Sequence, residues 1–385
     1  MNMENPEAWS EGFASYFRPF AAHFQRSETR TSVQWYLRGL LADVKRKNSW
    51  QLAEVVGLDD PHRLQRLLNE AVWDAERVCQ TLRQVIMDQI GYEPGIGVID
   101  ESGVAKWGQK SAGVARQYCG RLGKVENCQV GVYLGYVAPT GAAFLDRELY
   151  LPKGWCADQG RRRAAKIPDA VVFQTKPQLA QTMLERAWQE GVVLQWVVAD
   201  TLYGNSPTLR EAIHTHNRYY VMAIGSQHRV IRPGTTDPTQ LRSLVQALPD
   251  SVWEKLCFRI SEKGLIWHEW AAMPVRLPQD TLGEQWLLIQ RTLDDDPGYT
   301  FYLSNAPQET ALVTLATVAL SRHSIEELFE EAKGEVGLAD YEVRHWHGWY
   351  RHMTLVLVAH TWLKLLQHQQ REKKSVTRLV ELQPG

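Results

Sequence analysis

The run VVLQWVVAD, residues 192–200, constrains the fold more than any other stretch. It is apolar at nearly every position rather than alternating, so a strand here must be covered on both faces. An amphipathic helix, TKPQLAQTMLERAWQEG, precedes it; a helix, SPTLREAIHTHN, and a strand, RYYVMAIG, follow. A second apolar run, GIGVID at 95–100, ends in Asp100 as the first ends in Asp200. NCQVGVYLGYVAP and AAFLDRELYLP read as the next two strands, turning at Thr140-Gly141. Strands alternating with helices predict an α/β fold around a mixed sheet.

The flanks read differently. Residues 1–92 carry helical spacing throughout. WSEGFASYFRPFAAHF is an aromatic helix in which Pro19 predicts a break or kink. In SWQLAEVVGLDDPHRLQRLLNEAV a first helix ends at Gly57, and Asp60 caps a second with Pro61 at its first position. Leu64, Leu67 and Leu68 face inward there, while Arg63 and Arg66 face out. Length and polarity fit a helix-turn-helix that binds DNA, and fit two packed helices of a bundle equally well. The α/β part divides into 93–225 and 301–366, with aromatic-rich short strands at 226–300 read as a β insertion. A polar tail is expected over 367–385.

The chain's 385 residues are 44% hydrophobic, enough for a full core, and its net charge of −1 means that any nucleic acid is bound through local patches. Five scattered cysteines argue for a reducing compartment rather than a disulfide framework. The N-terminus lacks a basic segment followed by an apolar one, and no apolar run reaches the length of a membrane span, so a cytoplasmic protein is expected.

A carboxylate directly after a buried apolar run is a site candidate, because desolvating it unpaired is expensive; the bland alternative is a turn or cap residue. A third candidate lies in SRHSIEELFEEAKGEVGL, residues 321–338. At about 100° per residue, Arg322, Glu326 and Lys333 fall within about 40° of one another, at the edge of the stripe formed by Ile325, Leu328, Phe329, Ala332 and Val336. A solvated helix laced with ion pairs would account for the same charges. Three carboxylates converging would repel one another unless a divalent cation held them, and Mg²⁺ takes such oxygen ligands.

Three blocks together resemble the DDE transposases of bacterial insertion sequences. VIDESGVAKWGQKSAGVARQYCGRLGKVENCQVGVYLGY is similar to their first acidic block, WVVADTLYGNSPTLREAI to the second, and RHSIEELFEEAKGEVGLADYEVRHWHGWYRH to the third. The third block in this group carries a Y-x2-R-x3-E-x6-K signature, which Arg322, Glu326 and Lys333 match; Ala319 stands where its tyrosine falls. The resemblance covers about 95–365. It implies a ribonuclease-H-like catalytic domain interrupted by a β insertion, with Asp100, Asp200 and Glu326 as catalytic ligands of two Mg²⁺ ions, for which Mn²⁺ is an expected substitute. The implied activity is cleavage at terminal inverted repeats and strand transfer into target DNA, by a homodimer in the synaptic complex. A DNA-binding regulator derived from such an enzyme, or another nuclease of the same fold, are the alternatives.

Phosphate contacts are expected from Arg322 and Lys333, whose alternative is salt-bridging to neighbouring carboxylates. Lys106, Lys110, Arg116 and Lys124, interleaved with Trp107 and Tyr118, and the run Arg161, Arg162, Arg163 read either as a surface tracking the DNA backbone or as solvated loops. Tyr203, just past Asp200, is expected to shape the site. Trp267 is singled out in the β insertion as a candidate for stacking on a base, against the commoner role of a core residue.

Overall fold

The computed structural model describes residues 6–261, 264–294 and 296–381. The N-terminal block is helical: α1 (Pro6–Ala21), α2 (Ser27–Leu41), α3 (Ser49–Val55), α4 (His62–Asn69) and α5 (Ala75–Ile90). Helix α1 runs through Pro19 rather than breaking there. Pro19 sits in the final turn, between the buried rings of Phe17 and Phe20, so aromatic packing holds the helical path. Asn48 caps α3 by accepting from the amides of Trp50 and Gln51; Gly57 leaves it at φ 75°; and Asp60 Oδ1 accepts from the His62 amide at 2.8 Å where α4 begins.

Next come β1 (Ile96–Ala105), β2 (Ala115–Cys119), β3 (Lys124–Ala138), β4 (Gly141–Leu149), α6 (Lys153–Ala157), α7 (Gln159–Ala164), α8 (Lys176–Gln189), β5 (Trp196–Ala199), α9 (Thr201–Gly204), α10 (Pro207–Thr215) and β6 (Tyr219–Ile224). The chain continues through β7 (Arg229–Val230), β8 (Thr239–Gln240), α11 (Leu241–Gln246), β9 (Glu254–Ser261), β10 (Gly264–Arg276), β11 (Glu284–Arg291) and β12 (Tyr299–Ser304). It closes with α12 (Leu312–Leu320), α13 (His323–Glu335) and α14 (Trp346–Glu381).

Among the described residues, ten strands form one mixed sheet in the order β2-β3-β1-β5-β6-β12-β11-β10-β9, with β4 pairing β3 further along the edge that β2 uses, opposite β1. Strands β1, β3 and β4 are antiparallel neighbours, whereas β5 and β6 run parallel to β1. This large mixed sheet with helices against it fits a ribonuclease-H-like domain. The strands of 226–300 continue that sheet: β11 pairs with β12, β10 with β11, and β9 with β10, while β7 and β8 pair with each other. Helix α14 stays helical through the segment expected as a tail, to Glu381.

Helix α14 joins the two halves. Its Trp362 meets Phe13 of α1 edge-on at 5.9 Å, and its buried His352 bonds the Tyr36 hydroxyl of α2 at 2.7 Å. N-terminal helices, sheet and α14 share one hydrophobic cluster. A buried ionic lattice reinforces the join. Arg83 of α5 contacts Glu76 at 2.7 Å, Asp146 of β4 at 3.1 Å and Glu190 at 2.6 Å. Arg147 reaches Glu76 and Asp146, both at 3.0 Å, and Arg186 of α8 reaches Asp146 at 2.9 Å and Glu148 at 2.5 Å. No helix among the described residues is long and apolar enough to cross a membrane.

Candidate active site

Asp100 lies within β1, not at its end. The strand continues to Ala105 along β3, but its parallel partner β5 stops at the pair Ile99↔Ala199. Asp100 is therefore the first residue of β1 with an open edge, and Asp200 is the residue that follows β5 beside it. That notch arises because the chain turns at Asp200, whose carboxylate accepts from the Leu202 amide at 2.9 Å and caps α9. Helix α9 hugs the sheet closely: a Cβ on Gly204 would collide with the Ala223 carbonyl oxygen of β6.

Both carboxyls are crowded. Burial pushes Asp100 up to about 7, reinforced by the negative charges of Glu101 and Asp200 and opposed by the Glu101 amide and Arg322. Burial and then Glu101 raise Asp200 too, against the amides of Leu202 and Tyr203 and the charge of Arg322.

Glu326 arrives from the opposite end of the sequence. Arg322, at the start of α13, places Nη1 3.6 Å from Asp100 Oδ2 and Nη2 2.5 Å from Glu326 Oε1. One guanidinium thus bridges a strand carboxylate and a helix carboxylate that are 226 positions apart. His323 Nδ1 adds a contact of 3.1 Å to the other Glu326 oxygen. Packing sets the pose: Ile325, Leu328, Phe329 and Ala332 are buried, leaving Glu326 at the margin of the apolar stripe. Lys333 lies two turns along the same face, about 10 Å by helical rise, with its ammonium 5.2 Å from the Phe329 ring.

Glu101 lies outside the residues expected from the sequence. Strand alternation turns it away from Asp100's face, and there it accepts from the buried Tyr203 hydroxyl at 2.6 Å and from Lys176 at 2.7 Å. The signal was present as the adjacent acids of VIDES; an acid beside an acid reads as solvent-facing until a helix is known to cover it.

A sheet notch flanked by two aspartates, with a glutamate delivered from a following helix, is the layout expected of a DDE nuclease. The family model described as DDE superfamily endonuclease matches residues 19–246. This chain belongs to that family. The matched span includes Asp100 and Asp200 and stops short of Glu326. The chain is also 33% identical over 199 residues to the probable transposase for insertion sequence element IS701 of Microchaete diplosiphon, an alignment covering 50% of this chain and 48% of that protein. It thus spans about half the length of the curated relative it matches.

Members of the DDE superfamily of endonucleases generally use divalent metal ions. The donors here fit such an ion in kind: Asp100, Asp200 and Glu326 offer hard carboxylate oxygens only, and Asp100 is pushed up first by burial and then by the neighbouring charges of Glu101 and Asp200. Among the described residues no three His, Cys, Asp or Glu side chains already stand close enough to hold one ion, since Arg322 lies between Asp100 and Glu326.

The expected DNA contacts of this DDE endonuclease fall into two groups. Lys110, Arg116 and Arg163 are exposed; Lys124 is exposed and pairs with Glu126 at 3.5 Å. Arg63, exposed on α4, lies 5.0 Å over the Trp35 ring, and Arg66 makes a loose 4.0 Å pair with Glu70. Others are committed inside the protein. Arg162 is buried and donates to the carbonyls of Pro168, Asp169 and Val171, which withdraws it from any cationic surface. Helix α7 turns one residue of its arginine run inward, a rotation that a run of identical charges hides. Arg161 stacks over Trp155 at 3.7 Å and donates to the Gln109 and Val114 carbonyls. Lys106 donates to the Tyr341 carbonyl at 2.6 Å, and burial lowers its ammonium to about 8. Trp267 on β10 is partly exposed beneath Lys255, 5.5 Å away. Five strand steps separate β10 from β1 in the sheet, about 24 Å at ordinary strand spacing.

Proposed function

We propose that this chain is a DNA transposase that cleaves at terminal inverted repeats and transfers the released strand into target DNA. The observation that carries the reading is the Arg322 bridge, which draws Glu326 to the notch between Asp100 and Asp200. Asp100, Asp200 and Glu326 would hold two Mg²⁺ ions, with Mn²⁺ able to substitute. Bound ions supply neutralisation of the phosphate and activation of an attacking water or 3′-hydroxyl.

The chain's own residues supply position and charge. Asp200, fixed as the cap of α9, and Asp100, fixed by pairing to β3, present their carboxylates from one rigid edge. Tyr203 and Lys176 hold Glu101 on the other face of β1, where its charge still bears on both aspartates. Arg322 is poised to exchange its carboxylate partners for the phosphate at the cut, as a bidentate donor, with Lys333 further along the strand. The exposed cations Lys110, Arg116, Lys124, Arg163, Arg63 and Arg66 would lie along double-stranded DNA. Joining two ends calls for two active sites, so we infer a homodimer in the synaptic complex.

The test uses duplexes carrying the DNA that flanks the gene, incubated with Mg²⁺ and either wild type or Glu326→Gln. Cutting at the element ends by the wild type, lost in the variant, is the expected result. End-specific binding without cutting by either protein would replace the enzyme with a DNA-binding regulator.

A further inference from the structure

The indole of Trp107 is fully exposed, with a relative accessibility of 106%. One exposed ring is ordinary on a protein surface, but Trp107 stands on a held loop in a cleft that adjoins a second exposed tryptophan, Trp50. The loop is pinned on both sides of it. The Lys106 amide donates to the Asn127 carbonyl at 2.8 Å, and the Asn127 amide side chain donates back to the carbonyls of Lys106 and Gly108. Arg161 holds the Gln109 carbonyl at 2.8 Å, and the Ala112 amide donates to the Arg344 carbonyl at 2.9 Å. The aromatic ring is therefore presented in advance, at little ordering cost on binding.

Its surroundings identify the partner's chemistry. Trp107 lines a cleft with the cations Arg46, Lys106, Lys110 and Arg344 and the carboxylates Asp340 and Glu342. Asp340 already accepts from the Lys47 amide at 2.9 Å. A neighbouring cleft shares Asn48, Tyr341 and Glu342 and adds Trp50, itself 64% exposed at the start of α3. The surface runs from the α3–α4 pair to the loop that leaves β1. Cations spaced around bare aromatic rings suit a charged backbone with π faces to stack, which is the chemistry of nucleic acid rather than of an apolar protein patch.

Resting on the transposase reading, we propose that Trp107 stacks on an unpaired or displaced base of the bound DNA, with Lys110, Arg46 and Arg344 on the adjoining phosphates. Strand β1 ends at Ala105, about 17 Å from Asp100 by strand rise, and Trp107 lies two residues beyond it, so the base is several pairs away from the cut.

The test measures binding of a 30-base-pair duplex of arbitrary sequence, either intact or carrying one extrahelical 2-aminopurine. Trp107→Ala should weaken binding of the bulged duplex at least tenfold and the intact one less than threefold, and abolish the change in 2-aminopurine emission, which Trp107→Phe should largely retain. Lys110→Gln with Arg344→Gln should reduce the log–log salt slope by about two for both duplexes. If the wild type binds both duplexes and Trp107→Ala leaves affinities and emission unchanged, this inference fails alone. If the wild type binds neither, the DNA reading of the chain fails with it. Loss of self-association in Trp107→Ala with unchanged DNA binding would assign the surface to a second copy and overturn the proposal.

Discussion

Arg322 Nη1 stands 3.6 Å from Asp100 Oδ2, so the first turn of α13 is tethered electrostatically to the middle of β1. The same guanidinium holds Glu326, and through it the last of the three candidate carboxylates is registered against the sheet. Replacing Arg322 with Ala should lower single-turnover cleavage at least tenfold, with Arg322→Lys intermediate because an ammonium cannot make both contacts. Arg322 is one-third exposed, so the melting temperature should change by only a few degrees. Wild-type cleavage in Arg322→Ala would remove the bridge from the mechanism.

Asp100 makes a prediction about stability without metal. Its carboxyl titrates near 7 in the fold, well above the usual carboxylate value, so the native state holds a proton that the unfolded chain has released. Stability should therefore fall as pH rises from about 4 to 7 and level off above that. Asp100→Asn lacks this fall. Denaturation of the two proteins in EDTA should give a variant whose advantage grows across that window, by at most about 4 kcal/mol, and parallel curves would show that Asp100 is not strained by its neighbours.

The lattice around Arg83 should behave as a single unit. Burial disfavours the Glu76 carboxylate, but Arg147, Arg186 and Arg83 outweigh that and hold it down to about 2. Arg83→Met leaves Asp146 and Glu190 short of a partner in the interior and should cost about 3–5 kcal/mol in urea denaturation. The loss should shrink in the double variant Arg83→Met with Asp146→Asn, because the orphaned charge is then gone.

Tyr203→Phe deletes the 2.6 Å bond to Glu101 while keeping the ring. A buried hydrogen bond to a carboxylate is worth about 1.5–3 kcal/mol, and the remaining Lys176 contact should keep the loss near the lower end. A drop in both stability and cleavage is expected; an unchanged cleavage rate would confine Glu101 to a structural role.

The candidate carboxylates could be picked out in advance because burial writes itself into composition. Asp100 and Asp200 stand out as charges ending apolar runs, and Glu326 follows from its angle on an amphipathic helix whose apolar residues are all buried. What stayed hidden depends on neighbours brought in by the fold. Glu101 is a held acid beside Asp100 only because α8 and α9 deliver Lys176 and Tyr203 to its face. Arg162 is internal only because a short helix rotates it toward three carbonyls. The strands after residue 226 could be recognised by their aromatic, β-branched character, but their attachment to β12 could not, since pairing register leaves no mark within one strand. Asp146 and Arg147 sat in plain view in AAFLDRELYLP, yet their partners come from α5 and α8.

Asp100, Asp200 and Glu326 are proposed to serve one metal site. Mn²⁺ titration monitored by electron paramagnetic resonance, on the DNA-bound full chain, tests it directly. Wild type should bind the ion, and Asp100→Asn, Asp200→Asn and Glu326→Gln should each weaken binding at least tenfold. Unaltered Mn²⁺ binding by Glu326→Gln beside a loss in both aspartate variants would contradict the account and leave Glu326 as a surface charge held by Arg322.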